Sequence, residues 1–148
     1  MDFERALSLV MSLCIHYEGV YLKPYLCPAG VPTIGCGSTR YLDGRAVKLT
    51  DPAITYEHAM VLLKVRVLGE FMPAVLTLCR VRTERELAAI TDYAYNLGVN
   101  ALKHSTLRRR INEGRWDLVP DELRKWVYAA GKKLRGLVAR REAEIQML

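Results

Sequence analysis

No run in this sequence is long and apolar enough to cross a bilayer: the stretch from Ala6 to Ile15 falls well short of the about 20 residues a spanning helix needs. Nor does the N-terminus look like a signal peptide, because Asp2 and Glu4 precede the apolar run and no small-residue cleavage site follows it convincingly. Stable membrane insertion is therefore not expected, and the protein is expected to start out in a cytoplasm. Cysteine is sparse and unpatterned. Cys14, Cys27, Cys36 and Cys79 show no C-x-x-C spacing, and a chain of 148 residues buries enough surface to fold without staples, so free, mostly buried thiols are expected. His16, His58 and His104 show no ligand spacing either, and no metal site is expected. Low-complexity tracts and short repeats are missing, which argues against disorder and against a repeat architecture.

Basic residues are what the chain has in excess, giving a net charge of +6. Such a surface attracts polyanions, whether nucleic acid, an anionic membrane face or a bacterial wall, and charge alone does not choose among them. The clusters Arg108-Arg109-Arg110, Lys132-Lys133 and Arg140-Arg141 alternate with acidic residues, as solvated helix faces also do.

Phe3, Leu7, Val10, Met11 and Cys14 recur at helical spacing, so residues 2 to 17 read as an amphipathic helix with Gly19 as its stop. Four residues beyond Cys14 the same stripe reaches Glu18, which places that acid on or near the buried side at the helix end. From 20 to 47 Gly, Pro and β-branched residues take over, with a turn at Pro28-Ala29-Gly30 and a hairpin signal at Asp43-Gly44, so a small β-rich lobe is expected. A helical lobe follows over about 55 to 148. Thr55 opens a helix to Gly69, Pro73 starts a short one, and Thr83 with Glu86 forms a capping box ahead of a helix ended by Gly98. Further helices are expected from Thr106 to Glu113, from Asp117 and from Leu137 to Met147. The fold class is α+β, one domain over 1–148, with a cleft between the two lobes.

Glu18 is followed nine residues later by Cys27 and six after that by Thr33, in a segment whose Gly35 and Gly37 would let a ligand approach the backbone. By spacing alone a helix-terminal Glu is an ordinary solvated end. The full pattern E-x8-C-x5-T followed by I-G-x-G, however, resembles the phage-type lysozymes, glycoside hydrolase family 24, whose motif is E-x8-(D or C)-x5-T. Tyr93-Ala94-Tyr95-Asn96-Leu97-Gly98, Ser105-Thr106-Leu107-Arg108 and Gly136-Leu137-Val138-Ala139-Arg140-Arg141-Glu142 look like later family segments in the right order. The likeness runs over essentially the whole chain.

The resemblance implies a lysozyme-like fold and a muramidase that hydrolyses the β-1,4 bond between N-acetylmuramic acid and N-acetylglucosamine in peptidoglycan, without metal or cofactor. Glu18 inherits the role of general acid, which calls for a carboxyl group kept protonated near neutral pH, and an apolar setting would serve that need. Cys27 inherits the second catalytic position, where a carboxylate would ordinarily stand, and Thr33 a water-positioning role. A free thiol is only a few per cent thiolate at pH 7, so Cys27 needs help to act as an anion, and Lys23 is a sequence neighbour that could give it. Base, nucleophile and near-passive bystander all remain open for Cys27.

By the same resemblance Thr39, Tyr95 and Thr106 line the sugar cleft, against the plain readings of a loop Thr, a core aromatic and a helix N-cap. Ser38 stands where many relatives carry His, so an ion pair made there is lost. Arg140 or Arg141 would either face Glu18 or anchor the last helix; because a guanidinium favours the ionised acid, contact with another carboxylate is expected. Trp116 and Trp126 are expected to link helices. The resemblance further implies a monomeric endolysin that waits in the host cytoplasm for a holin or similar release factor and then attacks the periplasmic wall. Two rival readings remain. A lytic transglycosylase would need Glu18 alone, and a basic binding module for cell wall or nucleic acid would leave the triplet inert.

Overall fold

The computed structural model describes residues 1–148. Helix α1 spans Phe3–Glu18, opened by Asp2, whose carboxylate accepts from the Arg5 N–H, and closed at Gly19 with φ 75°. Its buried stripe is Ala6, Val10, Leu13 and Cys14, while Phe3 is exposed, so the stripe expected from the sequence is rotated by about one position at its start. Strands β1 (Tyr21–Leu26) and β2 (Pro32–Gly35) then pair antiparallel, with Tyr25 opposite Thr33 and Leu26 opposite Pro32. The turn between them closes as expected, the Gly30 N–H donating to the Cys27 carbonyl at 2.8 Å.

The β-rich lobe is smaller than its composition suggests. Asp43-Gly44 makes a tight turn with a single bridge, Arg40 to Ala46, and no strands grow from it. Its own apolar cluster is only Ile34, Val47 and Leu62, too little apolar surface to hold a longer hairpin.

Helix α2 (Tyr56–Arg66) starts at the Thr55 cap and does not stop at Gly69. A π-helical turn, Val67–Phe71, carries it straight into α3 (Met72–Leu78). Pro73 has no N–H to offer the turn before it, and the widened turn, in which the Met72 N–H reaches the Val67 carbonyl, absorbs that loss. Leu62 packs into the β lobe and Leu63 into the main core, so this one helix joins the two lobes.

Helix α4 (Glu84–Leu97) is the centre of the main core: Glu86 through Ala94 are all buried. Thr83 caps it, and the Glu86 carboxylate bonds the Arg82 N–H, one residue before the position a capping box would use. Around it lie α1, α5 (Val99–Lys103), α6 (Thr106–Asn112), α7 (Val119–Arg124) and α8 (Arg135–Ile145), with a two-residue-per-strand hairpin, β3 (Tyr128–Ala129) and β4 (Lys132–Lys133), before α8. The sequence reading had not expected that hairpin, and it starts α7 and α8 two residues off. No helix is long and apolar enough to cross a membrane, and all four cysteines are free.

Candidate active site

Glu18 is the last residue of α1, and the left-handed Gly19 turns the chain sharply away from it, so the carboxyl stands at the helix end facing α8. Arg140 of α8 meets it there. Its Nη1 donates to Glu18 Oε1 at 2.6 Å, while Nε and Nη2 donate to Asp92 Oδ2 and Oδ1 of α4 at 2.9 and 2.8 Å. Arg140 and Asp92 are buried, whereas the Glu18 side chain keeps 26% of its surface exposed. The setting is thus polar, against the apolar surroundings expected of a general acid. The expected choice between Glu18 and another carboxylate also fails, because Arg140 binds both.

Gly37 closes the second side of Glu18. Its φ of 86° favours glycine, and a Cβ there would stand in ordinary contact with Glu18, 3.5 Å from Oε2. Tyr95 fixes this turn: its hydroxyl donates to the Cys36 carbonyl and accepts from Arg66 Nη1, which also binds the Gly37 carbonyl at 2.9 Å. Burial pushes the Tyr95 phenol well above its ordinary range, so it stays neutral and acts as a strut.

Cys27 and Thr33 stand at the β1–β2 turn. Cys27 pairs through its N–H with the Val31 carbonyl at 3.1 Å, and its half-buried thiol is pulled below its ordinary pKa, first by the Val31 backbone N–H, against burial as the next largest effect, and then by the Ala29 N–H, the Thr33 hydroxyl and its own N–H. A ring of backbone donors is therefore the help this thiol receives. Lys23 is exposed and takes no part. The buried Thr33 hydroxyl donates to the Val31 carbonyl at 2.8 Å and is also within reach of the Cys27 sulfur; having one proton, it can serve only one of them at a time. Tyr25 links the two halves. Burial, then the charges of Tyr21, Glu18 and Cys27, raise its phenol pKa.

Thr39 is exposed and lines a cavity of about 340 Å³ with Arg66 and Glu70, apart from Glu18. Thr106 is the first residue of α6 and not its cap, which is Ser105, and its hydroxyl bonds nothing in the Glu18 cluster. Ser38 is buried and makes only backbone bonds to Ile34. Trp116 and Trp126 pack against the core as expected, and no three His, Cys, Asp or Glu side chains converge to hold a metal ion. The sequence reading missed Asp92, Glu144 and Tyr25. The signal for Asp92 was available: a lone acid inside the apolar half of a helix must find a buried cation.

Three comparisons bear on this geometry. The sequence is 32% identical over 138 residues to the SAR-endolysin of Escherichia phage Mu, covering 88% of this chain and 73% of that one. Its fold superposes on the endolysin from Escherichia coli O157:H7 phage FAHEc1 with a TM-score of 0.83 at 32% identity, covering 99% and 92% of the two chains. It also superposes on the muramidase domain of SpmX from Asticaccaulis excentricus with a TM-score of 0.79 at 26% identity, covering 95% and 93%. With residues 15–144 matching the family described as Phage lysozyme, the chain belongs to that family of endolysins and is a lysozyme-type glycoside hydrolase.

Proposed function

We propose that this enzyme hydrolyses the β-1,4 bond between N-acetylmuramic acid and N-acetylglucosamine in peptidoglycan, with Glu18 as general acid, Cys27 in the second catalytic position and Thr33 positioning water. The observation that carries this reading is the company Glu18 keeps: a motif acid at the end of α1 held by a buried arginine from 122 residues away. Protonation of the leaving oxygen by Glu18 expels the sugar, and positive charge develops on the ring. Cys27, favoured as thiolate by its ring of N–H donors, faces that charge and activates water. Thr33 helps by turning its hydroxyl between the Val31 carbonyl and the sulfur.

The absence of a carboxylate at the hairpin supports a second reading, a lytic transglycosylase in which Glu18 suffices and a 1,6-anhydro sugar forms. Thr39, Tyr95 and Thr106 are assigned to the sugar cleft on the family resemblance, Tyr95 through the Gly37 turn it braces. The enzyme acts as a monomer on the periplasmic cell wall after release from the host cytoplasm by a holin or similar factor; relatives named endolysins and SAR-endolysins support the site of action in the periplasm. A turbidity assay on permeabilised bacteria tests the core of the proposal: wild type clears and Glu18→Gln does not. Clearing by Glu18→Gln at the wild-type rate would remove Glu18 from the chemistry.

A further inference from the structure

A buried guanidinium whose only counter-charge was Glu18 would hold that acid ionised, because neutralising Glu18 would strand a positive charge inside the protein. Asp92 prevents this. It takes both Nε and Nη2 of Arg140 at 2.9 and 2.8 Å and is fully buried, so Arg140 stays matched by one anion whether or not Glu18 carries a proton.

Behind Asp92 lies a third carboxyl, Glu144 of α8, also fully buried and within hydrogen-bonding reach of it. Arg141 Nη2 donates to Glu144 Oε2 at 2.8 Å and to Asn96 Oδ1 at 2.9 Å. Its Nε lies 2.7 Å from Glu144 Oε1 but is misaligned for a bond, so neither atom is satisfied there. Three carboxyls thus share two guanidiniums, so the cluster is neutral when one of the three acids holds a proton. Burial drives the Glu144 carboxyl well above its ordinary range, and its hydrogen bond to Asp92 adds to that. Burial pushes Asp92 up as well, but the bonds from Arg140 and Glu144 outweigh it and keep Asp92 low.

We propose that Asp92 is a positioning residue for the reaction: as the fixed counterion of Arg140 it lets Glu18 hold and release a proton beside a buried guanidinium. This rests on the reading of Glu18 as general acid. The other titratable groups facing the pair do not compete. Cys14 of α1, whose Sγ lies 3.6 Å from Asp92 Oδ1, and Tyr25, Cys36 and Tyr95 around Glu18 are all pushed up by burial and stay neutral through neutral pH.

The test compares kcat, KM and the pH–rate profile of wild type, Glu18→Gln, Asp92→Asn and Glu144→Gln on purified peptidoglycan, with melting curves to confirm folding. Asp92→Asn leaves Arg140 to Glu18 alone, so the alkaline limb is expected to move to lower pH by about one unit or more, with kcat down roughly tenfold at pH 7 and KM little changed. Glu144→Gln keeps a neutral donor toward Asp92 and is expected to stay within about threefold of wild type, as preservation of a single hydrogen bond implies. A folded Asp92→Asn enzyme with an unmoved profile overturns the inference, as does Glu144→Gln behaving like Asp92→Asn. Activity in Glu18→Gln overturns the general-acid reading itself. Should Asp92→Asn not fold, carbon-13 spectra of glutamate-labelled wild type decide. One carboxyl at its protonated shift at pH 7, lost in Glu144→Gln, is expected, and every glutamate ionised at that pH contradicts the proposal.

Discussion

Glu18 and Cys27 are held in opposite ways. The acid is fixed by side chains from α4 and α8, reaching it across 122 positions of sequence through a buried guanidinium. The thiol sits at a turn whose Pro28, Ala29 and Gly30 are exposed, where nearby backbone N–H groups favour its negative form. In the proposed reaction Glu18 must present a proton in one geometry, and a buried guanidinium fixes it. A residue that needs only a preference for negative charge is served by a local loop, and a loop that uses backbone donors tolerates a change of side chain. That explains how a thiol can occupy a position where a carboxylate would ordinarily stand.

Breaking the helical side should cost most. Glu18→Gln removes the proton donor without changing shape, and turnover is expected to fall by about 10²–10⁴, the range of general acid catalysis, with the melting temperature retained. Arg140→Ala leaves Asp92 buried without its cation and is expected to destabilise the fold by about 3–5 kcal/mol, read by urea denaturation. The hairpin side should behave differently. Cys27→Ala is expected to lose most turnover on purified peptidoglycan, Cys27→Asp to stay active, and neither to shift the melting midpoint; an alanine variant near the wild-type rate would show the thiol to be passive.

The smaller effects sharpen the contrast. Cys27 alkylation should rise with pH through a lower window in the native enzyme than in urea, where the thiol titrates at about 8.5. The sign follows from linkage: a lowered thiol pKa contributes stability above the unfolded value and loses it as pH falls through the folded value. Equal alkylation profiles in the two states would remove the backbone ring from the account. Lysis should also slow with added salt, since the net charge of +6 draws the enzyme to an anionic wall and ions screen that attraction.

Local rules carried far in the sequence. The caps at Thr55 and Thr83, the stop at Gly19 and the turn at Pro28-Ala29-Gly30 were legible because each is settled within four residues. What escaped depends on partners distant in sequence. Gly69 reads as a stop, yet the core contacts of Val67, Phe71 and Met72 carry the helix past it. Asp92, Arg140 and Glu144 form their cluster only when α4 and α8 pack, so their number and charge balance lie outside any local pattern. The motif Glu18, Cys27 and Thr33 named the candidate site, but the polar surroundings of Glu18 emerge only from the fold.

The most direct test of the two-sided account is mass and anomer analysis of the products released from defined peptidoglycan. If the hairpin side delivers water to the charge that Glu18 creates, the products carry the added water and end in a free reducing N-acetylmuramic acid. If they end in 1,6-anhydro sugars, the chemistry needs Glu18 alone and the assigned role of Cys27 is wrong.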